Sequence, residues 1–387
     1  MSMKEYTGKY PVNRLEILRH LQDKSWDLAT ILIYLFLSIF SFRKVLLSSG
    51  LLYQGDLTPP LSVEQAISAV KRYSSPWDSY YITGRFNPNF NSVFLLYCLL
   101  SILSYLLGSI EHGIKILLIL ILAGSGLSMY YATRLLSGNR KASFIAGLFY
   151  MLNSWVYDRL VSGHILFLLS YILFPPAFTC LIRSFESKEK AKYSIMSGVL
   201  FALLCMLQYH MAYLAFLSIF LFILISIQFD FKNKTCPAIN LFRDYTVNII
   251  LIFATIILLN MWWLFPSLMS LPEFGATPKT TLSALLYTEN RVTLTNTLRL
   301  SSYWMAFYDK CLVGIMGKYS IFHLISGIAL TIMPLTAIPL LHRNKISMYF
   351  WILALIGIIL GMGTRGLGTL YVWLVQNVPL FLSLIHI

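Results

Sequence analysis

Long apolar segments recur along the whole chain and constrain its fold more than any other feature. A run of about 20 apolar residues matches the thickness of a bilayer, and inside lipid only a helix or a closed barrel satisfies its own backbone. Only 12% of the residues are charged and 57% are hydrophobic, which excludes an ordinary soluble domain. The sequence therefore predicts an all-α polytopic bundle of about nine or ten spans. We place the predicted spans at about 28–48, 114–136, 142–157, 165–183, 193–210, 212–229, 246–268, 319–341 and 347–363.

Two long loops, 49–113 and 269–318, interrupt the predicted spans, and a polar tail of mixed charge occupies residues 1–27. No Pro/Gly/Ser-rich linker divides the chain, so we predict one domain over 1–387. The chain ends inside an apolar segment with no closing polar tail. We therefore expect the C-terminus to be incomplete.

The short loops are basic, which predicts the orientation. Together with Arg134, four of them hold twelve Lys/Arg against four acids: 137–141, 183–192, 230–245 and 342–345. Basic loops stay on the cytoplasmic side, so we predict a multi-pass cell-membrane protein with its N-terminus inside and both long loops outside. The net charge of +14 then needs no nucleic-acid partner.

This orientation requires that the apolar segment 91–109 does not cross the membrane. Its polar positions recur at helical spacing on one face, which favours a helix lying along the outer interface: Tyr97, Ser101, Ser104, Tyr105 and Gly108. In the alternative, 91–109 spans, 142–157 does not, and the loop 137–141 is outside.

A polar island, Asn153–His164, interrupts the apolar segments and holds Asp158, Arg159 and His164. Charged groups next to lipid are costly and normally face a cavity or an interface, so a functional site is the default hypothesis. A guanidinium is suited to a phosphate group, although Arg159 could instead pair with Asp158 or snorkel to head groups. His164 is either a metal ligand, a phosphate contact or an interfacial residue at a helix start.

Asp56 follows the first span in the sequence YQGDLTPP. Gly55 permits a turn with positive φ, and Pro59-Pro60 stiffens the chain after it. The carboxylate could take a proton from an acceptor hydroxyl, or hold a divalent cation such as Mg²⁺ or Mn²⁺ together with His164. The alternative is ordinary turn chemistry.

Two further outer motifs carry candidate substrate-binding residues. Trp77 and Asp78 lie in PWDSYY, where an indole could stack on a sugar and a carboxylate could bind its hydroxyls; an aromatic belt is the alternative. His210 ends the motif Gln208-Tyr209-His210, which either lines the same cavity or is a plain polar turn.

These motifs together resemble the GT-C superfamily of membrane glycosyltransferases, and most closely its arabinofuranosyltransferase-like branch. The resemblance covers about residues 28–270. An acid follows the first span in GDLTPP, an apolar helix at 91–109 precedes the next span, and residues 138–164 read GNRKASFIAGLFYMLNSWVYDRLVSGH.

The resemblance implies transfer of a sugar from a polyprenyl-phosphate donor to a glycan or protein acceptor outside the cytoplasm, next to membrane lipids. It implies catalytic roles for Asp56, as general base, and for Arg159, at the leaving phosphate. Two other functions remain as alternatives: a lipid or polysaccharide transporter or flippase, and a non-catalytic GT-C-like membrane protein.

Overall fold

The computed structural model describes residues 14–52, 55–75, 77–78, 85–86, 90–232, 238–269, 294–298 and 344–377. Over these residues the fold is helical apart from one antiparallel pair of two-residue strands, β1 (Trp77–Asp78) and β2 (Arg85–Phe86). The helices up to the second long loop are α1 (Arg14–Ser41), α2 (Arg43–Leu47), α3 (Val63–Tyr73), α4 (Phe90–Leu107), α5 (Ile110–Ser137), α6 (Arg140–Met151), α7 (Ser154–Val161), α8 (Ile165–Glu186), α9 (Lys190–Leu207), α10 (Tyr209–Lys232) and α11 (Ala238–Met269). The remaining described helices are α12 (Leu294–Leu298), α13 (Lys345–Gly361), α14 (Thr364–Leu367) and α15 (Thr369–Asn377).

In the described part of the chain six helices are long and apolar enough to cross a membrane, which indicates a multi-pass membrane protein. They contain the stretches Lys24–Ser41, Ile110–Ser137, Ile165–Glu186, Lys190–Leu207, Tyr213–Lys232 and Arg243–Pro266. The all-α class and six of the predicted spans are therefore confirmed. The predicted span 319–341 lies outside the described residues, and α13, which matches 347–363, is only 17 residues long.

Three predicted boundaries differ from the structure. The first apolar helix ends at Ser41 instead of 48, and the short α2 follows it. Residues 14–27 belong to the same helix, so this part of the predicted N-terminal tail is continuous with the first span. The predicted span 142–157 is two helices, because α6 ends at Met151 and α7 begins at Ser154.

Two sets of polar contacts show that the apolar part of α1 and α5 run antiparallel. At one end Asp27 pairs with Arg134 and accepts a hydrogen bond of 2.5 Å from Tyr130. At the other end Lys115 donates to the Ser48 carbonyl at 2.6 Å and also pairs with Glu111. The start of the apolar stretch of α1 and the end of α5 therefore share one end of the bundle.

The other basic segments gather at this same end. Arg183 near the end of α8 donates to the carbonyl of Leu135 near the end of α5. Lys345 at the start of α13 lies 3.6 Å from Glu186 and 3.7 Å from Asp230, which end α8 and α10. We call it the basic end, and it brings together the loops that the charge pattern predicts on one side of the membrane.

The opposite end, which we call the Asp56 end, receives both ends of α4. Val93 and Tyr97 near the start of α4 line a cavity with Asp56. Leu107 at its end leads directly into α5, where Glu111 accepts a hydrogen bond of 3.0 Å from the Gly50 amide. A helix that begins and ends at one end of a bundle does not traverse it, which favours the predicted non-spanning 91–109 segment.

The predicted polar face of α4 does not face solvent as one stripe. Ser101 and Ser104 are buried, and Gly113 of α5 packs directly on Ser104, whereas Tyr105 is exposed. The stripe is therefore split between a helix–helix contact and the surface. Small residues at such a contact let two backbones approach closely.

A labelling experiment tests this arrangement of ends. In a background without the native cysteines, we expect Ser74→Cys at the Asp56 end to react with a membrane-impermeant thiol reagent in intact cells. Lys141→Cys at the basic end should react only after the membrane is opened, because the two positions then lie on opposite sides. Reaction of both in intact cells would contradict this topology.

Candidate functional site

The polar island is a helix, α7, and Asn153 fixes where that helix begins. The Asn153 side-chain oxygen accepts a hydrogen bond of 3.0 Å from the Val156 amide, an N-cap that stabilises the first turn. Its side-chain NH₂ donates to the Tyr150 carbonyl and to the Tyr171 hydroxyl. The rings of Tyr150 and Tyr171 stack with centroids 3.8 Å apart, so the break between α6 and α7 is anchored to α8.

The end of α7 is joined to the turn that carries Asp56. The Asp56 amide donates to the Ser162 carbonyl at 2.9 Å. Gly55 has a φ of +58°, and a Cβ there would lie 2.1 Å from the Ser162 oxygen, so the contact has room only for glycine. The predicted turn at Gly55 therefore exists, and its partner is the polar island.

Four side chains form a continuous polar chain from the interior to the cavity. Arg159 Nε lies 3.8 Å from the Asp158 carboxylate, and Arg159 Nη1 lies 2.8 Å from His164 Nδ1. His164 Nε2 lies 3.0 Å from Asp56 Oδ2. Asp158, Arg159 and His164 are buried, whereas the Asp56 side chain is 73% exposed.

The Arg159 guanidinium is fully buried between two aromatic rings. It lies 5.4 Å from the Trp155 ring centroid and 5.5 Å from that of Phe167, within the range of cation–π attraction. An arginine side chain stays protonated in proteins, so Arg159 is a cation.

A cavity of about 200 Å³ opens beside these linked polar side chains. Its polar end is formed by Asp56, His164 and Gln208. Its apolar walls come from α4, α5 and the start of α8, and include Leu96, Leu100, Ile114, Leu117, Leu118 and Phe167. The cavity thus joins a carboxylate to an aliphatic surface, which suits an amphiphilic ligand.

A second cavity of about 850 Å³ adjoins the first, because Thr58, Pro59, Pro60 and Tyr97 line both. Two cations, Lys71 and Arg72, line the second cavity, and no acid is among its lining residues in the described part of the chain. Trp77, Tyr73 and three hydroxyl residues complete it: Thr58, Ser68 and Ser75. Its chemistry fits an anionic ligand that carries a sugar ring.

The structure brings together most of the predicted site. Asp56, Asp158, Arg159 and His164 form one chain, and Gln208 from the 208–210 motif lines the same cavity. Trp77 lies in the adjoining cavity.

Three of the predicted site residues are not seen to line either cavity. Arg159 is not among the residues that line either cavity, so in this arrangement it acts on a ligand only through His164. The side chains of Asp78 and His210 lie outside the described residues; the backbone places Asp78 in β1 and His210 at the start of α10.

The described donor set does not fit a divalent metal at Asp56 and His164. Both ring nitrogens of His164 are engaged, Nδ1 with a guanidinium and Nε2 with Asp56, and that guanidinium repels a second cation nearby. Over the described residues no group of three or more His, Cys, Asp or Glu side chains could hold a metal ion. The predicted Mg²⁺ or Mn²⁺ therefore enters no step below.

Two features of the site were not anticipated from the sequence. The contact of Gly55 with Ser162 joins residues far apart in the chain, and no local signal marks it. The sequence motifs do not single out Lys71 and Arg72. Ser62 followed by Gln65 signals the start of α3, and a basic pair is typical of the last turn of a helix.

Comparisons with protein families, with curated proteins and with solved structures find no match to this chain. The fold thus defines the class as a helical multi-pass membrane protein. The more specific family resemblance rests on its sequence motifs.

Gly55→Ala tests the contact between the two turns. Left-handed strain costs about 1 kcal/mol and overpacking against Ser162 adds about 1–3 kcal/mol, so we expect a loss of about 2–4 kcal/mol in the free energy of unfolding. Gly138→Ala is the control, because Gly138 has a similar φ of +68° with nothing within 4 Å of its Cβ. An unfolding titration in mixed micelles measures both, and equal losses would mean that the Ser162 contact is not tight.

Proposed function

We propose that this protein is a membrane glycosyltransferase of GT-C type, which transfers a sugar from a polyprenyl-phosphate donor to a hydroxyl of a glycan or protein acceptor. One observation carries the proposal. An exposed carboxylate, Asp56, is held by His164 at the polar end of an aliphatic cavity, next to a larger cavity with two cations.

In the proposed reaction Asp56 is the general base. The acceptor hydroxyl binds with its hydrogen toward the Asp56 carboxylate, and its oxygen attacks the anomeric carbon of the donor sugar. The bond between that carbon and the phosphate oxygen breaks, the proton passes to Asp56, and polyprenyl phosphate leaves with the bonding electron pair. A positioned carboxylate that removes a proton in this way contributes about 10²–10⁴-fold to the rate.

The two cavities suit the two parts of an amphiphilic donor. The aliphatic walls on α4, α5 and α8 would receive the first isoprenoid units, since apolar surface gains free energy when water leaves it. Lys71 and Arg72 would bind the phosphate and stabilise the charge that develops on it as the bond breaks. Trp77 would stack on the sugar ring. In this proposal Lys71 and Arg72 take the phosphate contact that the sequence motifs suggest for Arg159.

The proposal places the reaction outside the cytoplasm. The Asp56 end lies opposite the basic end, and loops rich in Lys and Arg remain in the cytoplasm. The donor would then present its sugar on the outer side of the cell membrane.

Asp56→Asn tests the general base. We expect the variant to fold as the wild type does and to lose transfer by about 10²–10⁴-fold, because an amide cannot accept the proton. The assay follows radiolabelled polyprenyl-phosphate sugars in reconstituted vesicles supplied with a cell-envelope extract as acceptor. Glu64→Gln is the matched control, an exposed acid in the first turn of α3 that lines neither cavity.

Three outcomes of this assay would contradict the proposal. Full transfer by Asp56→Asn would remove Asp56 as base. Movement of the donor across the vesicle membrane with no sugar transfer would favour the transporter or flippase. No effect of the wild-type protein on any donor would favour a non-catalytic protein.

Lys71→Gln with Arg72→Gln tests the phosphate contact. We expect the KM for the donor to rise by about 100-fold or more, since each of the two lost charge-assisted hydrogen bonds costs about 1.5–3 kcal/mol. The control pair is Lys141→Gln with Lys188→Gln, two exposed lysines at the basic end. An unchanged KM in the first pair would place the donor phosphate elsewhere.

A further inference from the structure

We infer that Arg159 and His164 form a positioning relay, in which the buried guanidinium fixes one tautomer of His164 and His164 in turn orients the Asp56 carboxylate. The inference rests on the proposed function, because it explains how the proposed base is held. Arg159 and His164 are positioning residues, and Asp56 alone touches the reacting atoms.

The tautomer follows from the chemistry of arginine. A guanidinium carries only hydrogen-bond donors, so the contact of 2.8 Å between Arg159 Nη1 and His164 Nδ1 requires Nδ1 to accept. A neutral imidazole with an accepting Nδ1 carries its proton on Nε2. That nitrogen lies 3.0 Å from Asp56 Oδ2 and therefore donates to it.

The relay has a rigid origin. Arg159 has no exposed surface and lies between the Trp155 and Phe167 rings, with the Asp158 carboxylate 3.8 Å from its Nε. His164 is held on the same turn, since its amide donates to the Arg159 carbonyl at 2.9 Å. These contacts hold the guanidinium and the imidazole in a fixed relation.

Asp56, the last residue of the relay, is the side chain that the relay would hold in place. Asp56 is 73% exposed, and a carboxylate at such a position samples several rotamers. The hydrogen bond from His164 Nε2 to Oδ2 selects one rotamer and leaves Oδ1 to face the ligand. An oriented base loses less entropy when the acceptor hydroxyl binds, which raises the rate of the chemical step without tighter binding.

Burying the charged groups of this relay costs free energy, and this cost points to a role beyond packing. Burial of charged groups such as Asp158 and Arg159 is expensive, and a well-packed apolar replacement of a buried ion pair is often neutral or stabilising. A cation retained next to the proposed base is consistent with such a functional role.

The first experiment reads the tautomer directly. Protein labelled with ¹⁵N in histidine is studied by solid-state NMR in lipid bilayers at neutral pH, and the His164→Gln spectrum identifies the His164 signals. We expect a neutral ring with its proton on Nε2, and a mixture of tautomers in Arg159→Gln. A proton on Nδ1, or a doubly protonated ring in the wild type, would overturn the relay whether or not the protein transfers sugars.

The second experiment compares two amides at position 164. His164→Gln keeps an N–H at about the reach of Nε2, whereas the side chain of His164→Asn reaches only the position of Nδ1. We expect His164→Gln to retain kcat within about tenfold of the wild type and His164→Asn to lose about 100-fold, with the donor KM unchanged in both. A structural role would instead lower stability and kcat alike in both variants.

The outcomes of the two experiments separate the two proposals. Equal kcat values in the two variants, either both normal or both reduced, would overturn the relay. A wild-type protein that transfers no sugar while His164 carries its proton on Nε2 would overturn the proposed function and keep the relay geometry.

Discussion

The hydrogen bond from the Asp56 amide to the Ser162 carbonyl is the contact on which the site depends. It joins the first long loop to the end of α7, and it places an exposed carboxylate against a buried histidine. The close approach is possible because Gly55 has no Cβ. Both cavities meet at the segment that follows this contact, so a displacement of the turn would alter the acid and both cavities together.

The break between α6 and α7 provides the second requirement. α6 has 12 residues, which at about 1.5 Å per residue is too short to cross a bilayer. The path from the basic end to the Asp56 end is completed only by α7, which carries Asp158 and Arg159. Interrupted helices are tolerated in membranes where they line protein or a cavity, and their termini supply polar groups there. At this break the Asn153 side chain accepts from the Val156 amide, and the Tyr171 hydroxyl donates to the Tyr150 carbonyl.

Hydropathy and charge predicted the helical fold well because both are summed over many residues. The helix class, the apolar spans and the grouping of basic loops at one end follow from such sums. The candidate site residues Asp56, Asp158, Arg159 and His164 were identified from their positions beside the apolar segments. Their order in space was not, because a buried Arg159 and an exposed Arg159 have the same sequence signature. The predicted span 142–157 runs through the helical break at Leu152, although Asn153 beside it is a residue typical of a helix N-cap.

The Gly55–Ser162 contact also has a consequence for biosynthesis. A chain is inserted from its N-terminus, so the turn with Asp56 reaches its side of the membrane before α6 and α7 have been made. Until they follow, the carboxylate has no histidine beside it and the loop has no carbonyl on which to dock. The site is thus completed only after α6 and α7 have been inserted. It exists only in chains in which the end of α7 has reached the same side as the Asp56 turn.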